Sequence, residues 1–292
     1  MGRSGLSETT PHENPLVSNK KLRHIYTAMV HARLLDEHIA KLQRKAKANQ
    51  RLAYSFGEEA CRVATAIELK HGDLASNTQI SATMDLLFGA PLTPLLRNIT
   101  AVISGAQTRE RISTNATIVS RQLPWIDGAA NRLSMAMGAA LTLKTQQQNN
   151  IVIAYAYQAE LTRRAWKHVL TLAAQLNLPI IFVLLPQADG KGEATNICKD
   201  ARTAGLPGIP VDANDAVALY RVAQESMGRS RGGDGPVLIE CISCRAIGQR
   251  KNKRSDPILH MKDFLTARKV CTEDWAKHAG EVFLRRLAAA KH

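Results

Sequence analysis

Hydrophobic and polar positions follow two kinds of pattern in the middle of the chain, over residues 151–187. An uninterrupted apolar run rich in β-branched residues, Ile151 to Ala156, is typical of a strand that is buried on both faces. Apolar residues then recur at helical spacing from Trp166 to Ala174, and Pro179 introduces a second apolar run, Ile180 to Leu185. A strand, a crossover helix and a second strand form a βαβ unit, so the pattern predicts a parallel sheet.

Similar patterns on either side of this unit predict further helices and one more buried strand. The predicted helices span Lys21 to Ala48 and Cys61 to Leu69, and the predicted strand spans Val237 to Cys241. Residues 126–144 are rich in small residues, which permit close helix packing. We expect a single α/β domain over residues 21–292, preceded by a flexible N-terminal arm over residues 1–20.

Length and composition fit a globular α/β protein. The chain has 292 residues, 45% of them hydrophobic, and none of its apolar runs reaches the ~20 residues that a membrane span requires. The first twenty residues lack the apolar core of a signal peptide and contain Glu8 and Glu13, which argues against a transit peptide. We therefore expect a cytoplasmic protein that does not bind membranes.

The positive net charge raises the question of a nucleic-acid site and the cysteines raise that of a metal site. We predict neither. The net charge is +14, but the basic clusters at Lys41 to Arg51 and Arg245 to Arg254 lack interleaved aromatics, so we expect solvated faces and no nucleic-acid partner. Cys241 and Cys244 form the one CxxC among five cysteines. Because they would end a strand and face opposite sides, we interpret them as structural cysteines and predict no metal site.

Ligands of parallel sheets bind beyond the carboxyl ends of the strands, which here fall at Tyr157 to Ala159 and at Pro186 and Gln187. The helix and strand between them, WKHVLTLAAQLNLPIIFV, resemble the alpha subunit of thiamine-diphosphate-dependent 2-oxo acid dehydrogenases, the first component of the pyruvate and branched-chain complexes. The resemblance covers roughly residues 20–285 and implies helices over Ile126 to Lys144 and Ala216 to Arg229. It implies a mostly parallel, doubly wound sheet, a thiamine-diphosphate-binding-like fold.

The resemblance also implies where the cofactor contacts of that family fall, and each recognisable one is substituted. The family's Gly-Asp-Gly falls on Tyr157 to Ala159, so that its acidic ligand becomes Gln158. The other substituted family positions are the Asn-Asn pair at Pro186 and Gln187, the Tyr-Arg pair at Gln79 and Ile80, and the loop histidine at Gln249.

A second Gly-Asp-Gly, Gly233 to Gly235, follows a helix and precedes a strand. The cofactor motif requires the opposite order, in which the motif follows a strand. We therefore interpret these three residues as a turn.

The substitutions remove the chemistry that the cofactor would need. Mg²⁺ prefers oxygen ligands that include a carboxylate, whereas Gln158 offers only a neutral amide oxygen and Pro186 offers no side-chain oxygen. Ile80 cannot neutralise a phosphate, and Gln249 cannot serve as acid, base or charged donor. We therefore assign no catalytic, cofactor-binding or metal residue and expect no cofactor. The nearest replacement carboxylate along the chain is Glu160.

Three functions remain open from the sequence. The first is a non-catalytic homologue of the alpha subunit, a structural or regulatory partner that forms a homodimer, pairs with a beta-subunit-like chain, or does both. The second is an active 2-oxo acid dehydrogenase that uses thiamine diphosphate and Mg²⁺, with Glu160 as an unusual ligand, and passes the acyl group to lipoamide. The third is a metal-free binder of an anionic or phosphorylated ligand, held by Arg163 and Arg164 at the start of the central helix.

Overall fold

A computed structural model describes residues 16–46, 52, 54–79, 81–104, 121–186, 197–242 and 256–290. Within these ranges the strands are β1 Leu74–Ser76, β2 Val152–Tyr157, β3 Ile180–Leu185, β4 Gly208–Asp212 and β5 Val237–Ile242. They form one sheet in the order β1-β2-β3-β5-β4, and every neighbouring pair is parallel.

Helices precede, separate and follow these strands. Their bounds are α1 Asn19–Ala46, α2 Glu59–Ala66, α3 Ala82–Leu87, α4 Leu92–Ile103, α5 Ala129–Thr145, α6 Arg163–Gln175, α7 Ile197–Thr203, α8 Ala216–Arg231, α9 Pro257–Ala267 and α10 Glu273–Ala289. None of the helices in the described ranges is long and apolar enough to cross a membrane.

The side chains of β2 alternate between two separate cores. Ile153 and Tyr155 pack in a core that also takes in residues of α1, α2, α8 and α9. Ala154 and Ala156 point the other way, into a core formed with α5, α6 and α7. Alternation at a period of two is what a pleated strand imposes, and a sheet covered by helices on both faces must be apolar throughout. The predicted doubly wound α/β architecture is therefore confirmed.

The central elements lie where the hydrophobic pattern predicts them. β3 has the predicted bounds, β2 and β5 differ from prediction by a residue, and the predicted turn at Gly233 to Gly235 connects α8 to β5. Gly233 and Gly235 have φ of 86° and 85°, which is the left-handed region that glycine tolerates. The N-terminal arm stays a prediction, because residues 1–15 lie outside the described ranges and α1 begins at Asn19.

Two strands were not predicted, and both are short outer strands of the sheet. β1 has three residues, too few for an apolar run, and β4 reads GIPVD, with a glycine and a proline. A proline is tolerated there because the outer side of an edge strand does not need its N–H. α4 was not predicted either, and its apolar side packs against α1 and α10.

Candidate functional site at the carboxyl edge of the sheet

Strand register brings the substituted motif positions together at one edge of the sheet. Tyr157 at the end of β2 is aligned with Leu185 at the end of β3. Gln158 and Pro186 are the next residues on the two strands, and both are half-buried. The edge where ligands of parallel sheets bind therefore presents an amide side chain and a pyrrolidine ring at these two positions.

The remaining substituted positions are only partly described. Gln158 accepts a hydrogen bond from Trp166 Nε1 through its backbone oxygen, at 2.9 Å. Gln79 lies three residues beyond β1, half-buried, and donates from Nε2 to the Tyr54 backbone oxygen at 3.4 Å. Ile80, Gln187 and Gln249 lie outside the described residues.

Glu160, the candidate replacement ligand, has both carboxylate oxygens engaged by the protein. Oε1 accepts a hydrogen bond from Nη2 of Arg132, whose side chain is 6% exposed. Oε2 accepts a hydrogen bond from the backbone N–H of Tyr157 at 2.8 Å. The carboxylate therefore neutralises a buried arginine of α5 and holds the turn that follows β2.

Arg163 also has an internal partner. It donates to Asp200 of α7 through Nε and Nη2 at 2.7 and 2.9 Å, a two-point contact with one carboxylate. At the start of α6, Thr162 Oγ1 accepts a hydrogen bond from the Ala165 N–H at 3.3 Å. Arg164 is exposed. An anion site on Arg163 and Arg164 stays a prediction, and it would have to draw Arg163 away from Asp200.

A buried ion pair between Glu58 and Arg62 lies at the same edge and was not predicted from the sequence. Arg62 Nε donates to Glu58 Oε2 at 2.8 Å, and the side chain of Arg62 is 0% exposed against 13% for Glu58. Tyr157 donates from its hydroxyl to Glu58 Oε1 at 2.7 Å. Arg62 also donates to Thr78 Oγ1 at 3.1 Å and to Asn77 Oδ1 at 3.4 Å. Asn77 and Thr78 directly follow β1, so the pair bridges α2 and the ends of two strands.

The network continues from Asn77 to a buried carboxylate on α3. Asn77 Nδ2 donates to Gln122 Oε1 at 2.8 Å, and Gln122 Nε2 donates to Asp85 Oδ1 at 2.6 Å. Burial raises the pKa of Asp85 to about 6, although the hydrogen bond from Gln122 opposes this shift. A connected row of polar side chains from Tyr157 to Asp85 thus occupies the space beside the ends of β1 and β2.

The surroundings of Arg62 and Tyr157 keep the guanidinium charged and the phenol protonated. Burial opposes the charge of Arg62, but Glu58 together with Tyr157 and Tyr155 outweighs burial, so the pKa of Arg62 is raised. Burial and the adjacent Glu58 carboxylate raise the pKa of Tyr157 to about 12. Tyr157 therefore remains a hydrogen-bond donor to Glu58 at neutral pH.

One feature of the sequence could have pointed to this pair. Helix α2, EACRVATA, is buried at every residue, and apart from Glu59 at its start Arg62 is its only charged residue. An arginine in such a helix needs a carboxylate within reach, and Glu58 is one helical turn earlier. The partners from β1 and β2 could not be inferred, because Tyr157 is 99 residues from Glu58 along the chain.

The residues described at this edge do not fit a magnesium ion held by a diphosphate. Gln158 and Pro186 bring no carboxylate, Glu160 is engaged by Arg132 and by the backbone, and Glu58 is engaged by Arg62 and Tyr157. Within the described ranges, no three His, Cys, Asp or Glu side chains cluster in a way that could hold a metal ion. Mg²⁺ favours near-octahedral oxygen ligands with at least one carboxylate, and this donor set does not supply them.

The model of the family described as "Dehydrogenase E1 component" matches residues 26–252. The chain belongs to this family. The match spans the whole parallel sheet, together with α2, α8 and the edge at Tyr157 and Gln158. The resemblance expected from the helix and strand around Trp166 is thus confirmed for the E1 alpha-subunit scaffold.

Curated relatives of this E1 chain are alpha subunits. Subunit alpha of acetoin:2,6-dichlorophenolindophenol oxidoreductase from Bacillus subtilis (strain 168) is 29% identical over 202 residues, covering 66% of this chain and 60% of the relative. The pyruvate dehydrogenase E1 component subunit alpha from Staphylococcus aureus (strain Mu50 / ATCC 700699) is 27% identical over 239 residues, covering 79% and 62%. That from Mycoplasma genitalium (strain ATCC 33530 / DSM 19775 / NCTC 10195 / G37) is 23% identical over 285 residues, covering 90% and 77%. The E1 chain thus spans less than two thirds of the length of the first two.

Proposed function

We propose that this E1 chain is a non-catalytic alpha-type subunit, a structural or regulatory partner that has kept the scaffold without the cofactor contacts. The observation that carries the proposal is the engagement of Glu160. It is the carboxylate next to the substituted motif, and Arg132 and the Tyr157 N–H occupy both of its oxygens. A metal ligand at this place would have to leave a buried guanidinium without its counter-charge, which is costly.

Isothermal titration calorimetry of the purified chain with thiamine diphosphate and Mg²⁺ tests this proposal. We expect no heat of binding at micromolar concentrations, in the presence or absence of an added beta-type subunit. Micromolar binding would overturn the proposal and favour an active subunit. In that case Glu160→Gln should abolish binding if Glu160 supplies the missing carboxylate.

The same relatives support a proposal about the partners of this subunit. The proteins that this chain resembles are named as alpha subunits, which implies assembly with other chains. We propose that this chain forms a homodimer, pairs with a beta-type chain, or does both, and that it works in the cytoplasm. Co-purification of the tagged chain with a co-expressed beta-type subunit measures the second mode of assembly.

A further inference from the structure

The carboxyl edge of the sheet contains a fully buried cation whose counter-charge comes from the protein itself. Arg62 is 0% exposed, and its guanidinium lies against Thr78 and Asn77 beyond β1. A buried charge is tolerated only when it is paired and hydrogen-bonded. Glu58 provides the carboxylate, through Oε2 at 2.8 Å from Arg62 Nε.

The groups around the Glu58 carboxylate are those that recognise an oxyanion. The guanidinium of Arg62 donates to one carboxylate oxygen, and the Tyr157 hydroxyl donates to the other at 2.7 Å. A planar guanidinium with an adjacent hydroxyl binds carboxylate and phosphate oxygens alike, because both are acceptors of charge-assisted hydrogen bonds. Glu58 therefore occupies a position that suits a phosphoryl group.

Glu58 lies between the guanidinium of Arg62 and the solvent. Glu58 directly precedes α2 and keeps 13% of its side chain exposed, whereas Arg62 lies one helical turn further in with none. Shortening the outer residue would leave the inner cation uncompensated and open a passage to it. The geometry points to an anion-binding site for phosphate or diphosphate oxygens, formed by Arg62 and Tyr157, in which the Glu58 carboxylate acts as a built-in anion and occupies the place of the ligand.

This inference rests on the proposed non-catalytic function and deepens it. It explains how residues outside the family's cofactor motifs exclude a diphosphate from this edge. It also predicts that the wild-type chain does not bind free pyrophosphate, whereas a chain without the Glu58 carboxylate binds it. Pyrophosphate is the probe because it carries the diphosphate chemistry without an organic group that could bind elsewhere.

The experiment follows the thermal unfolding midpoint of the full chain with and without inorganic pyrophosphate. We expect no shift for the wild type and a rise of roughly 5 °C for Glu58→Ala at saturating pyrophosphate. The double variant Glu58→Ala/Arg62→Met should lose this rise, since it lacks the buried cation. Glu68→Ala, which removes a carboxylate paired with Lys21 away from this edge, is the matched control and should behave as the wild type.

A second variant keeps the test decisive if Glu58→Ala does not fold in buffer. Glu58→Ser also shortens the side chain and removes the negative charge, and serine is a favoured residue at the N-cap position that Glu58 occupies before α2, so pyrophosphate should raise its unfolding midpoint as well. Recovery of cooperative unfolding of Glu58→Ala by pyrophosphate would also support the inference. The inference is overturned if pyrophosphate stabilises neither variant. It is also overturned if pyrophosphate stabilises the wild type and the double variant as much as Glu58→Ala.

This outcome is distinguishable from failure of the proposed function. Binding of thiamine diphosphate and Mg²⁺ to the wild type contradicts the non-catalytic proposal, whatever pyrophosphate does to the variants. Pyrophosphate-insensitive Glu58 variants contradict the built-in anion, even if the wild type binds no cofactor.

Discussion

At the scale of single residues, the carboxyl end of β2 lies between two buried arginines, each paired with a glutamate of this chain. Arg62 reaches Tyr157 through Glu58 and the tyrosine hydroxyl, and Arg132 reaches it through Glu160 and the backbone N–H. A buried pair contributes little net stability, but removing one partner leaves a charge that the protein cannot solvate. Both pairs therefore lock the end of β2 in one arrangement.

Glu160→Gln should destabilise the fold because it removes the counter-charge of Arg132. The side chain of Arg132 is 6% exposed and that of Glu160 is 26% exposed, so solvent screens part of the loss. Arg132 Nε is already buried without a hydrogen-bond partner. We expect the free energy of unfolding, measured with urea, to fall by about 2 kcal/mol.

The matched control is Glu281→Gln, which removes the same charge from a pair on the surface of α10. Lys277 and Glu281 are 3.9 Å apart and 79% and 50% exposed. Such pairs contribute less than about 0.5 kcal/mol. Equal losses in the two variants would show that Arg132 does not depend on Glu160.

Asp85→Asn should change how stability depends on pH. Burial raises the pKa of Asp85 to about 6, so between about pH 4 and pH 6 the folded state binds more protons than the unfolded chain, and stability falls as the pH rises. An asparagine carries no such penalty and can still accept the hydrogen bond from Gln122. We expect urea unfolding to find the variant about 2 kcal/mol more stable than the wild type at pH 7, with little difference near pH 4.

The exposed Asp263 on α9 supplies the control for this pH series, since Asp263→Asn removes a carboxylate that solvent already stabilises. Asp36, which burial also brings to a pKa of about 6, is present in every variant and cancels in the comparison. A stability difference for Asp85→Asn that stays constant from pH 4 to pH 7 would contradict the assignment.

At the scale of secondary-structure elements, close backbone packing holds the edge strand β4 in place. An added Cβ on Gly208 would lie 2.5 Å from the Cys198 backbone oxygen and 2.8 Å from its Cα, so β4 approaches α7 as only glycine allows. Gly208→Ala should lower the free energy of unfolding by about 1–3 kcal/mol in a urea titration, because the backbone of α7 must move.

Gly228→Ala is the same substitution on the exposed side of α8, where an added Cβ meets nothing within 4 Å. It should stabilise the fold by up to about 1 kcal/mol, since alanine is the better helix former. Opposite signs for the two glycine variants are the expected result. A neutral Gly208→Ala would mean that β4 and α7 are not held this closely.

The elements that could be predicted from sequence are those whose apolar pattern is long and unbroken. β2 and β3 each bury six consecutive residues or nearly so, whereas β1 has three residues and β4 contains Pro210. Edge strands are recognised by tertiary pairing rather than by local pattern, which is why both were missed. The residues of the site show the same division. Gln158 and Pro186 could be placed from the ends of the two predicted strands, whereas only the fold brings Glu58 to Tyr157.

At the scale of the whole molecule, the proposed dimer makes a prediction about the outer face of α5. Ser134, Gly138 and Thr142 are exposed at a spacing of four residues, and an added Cβ on Gly138 meets nothing within 4 Å. Gly138→Glu therefore leaves the fold of one chain intact and places a charge where a second subunit would pack closely.

If α5 packs against a second copy, sedimentation velocity should show a dimer for the wild type and a monomer for Gly138→Glu. Gly228→Glu on α8 is the matched control, because that glycine is equally open in one chain, and it should remain dimeric. An introduced carboxylate in a close helix contact is desolvated without a partner, which costs more than such a contact contributes. A dimeric Gly138→Glu would place the subunit contact on another face, and a monomeric wild type would contradict the homodimer and leave pairing with a beta-type chain as the way this subunit assembles.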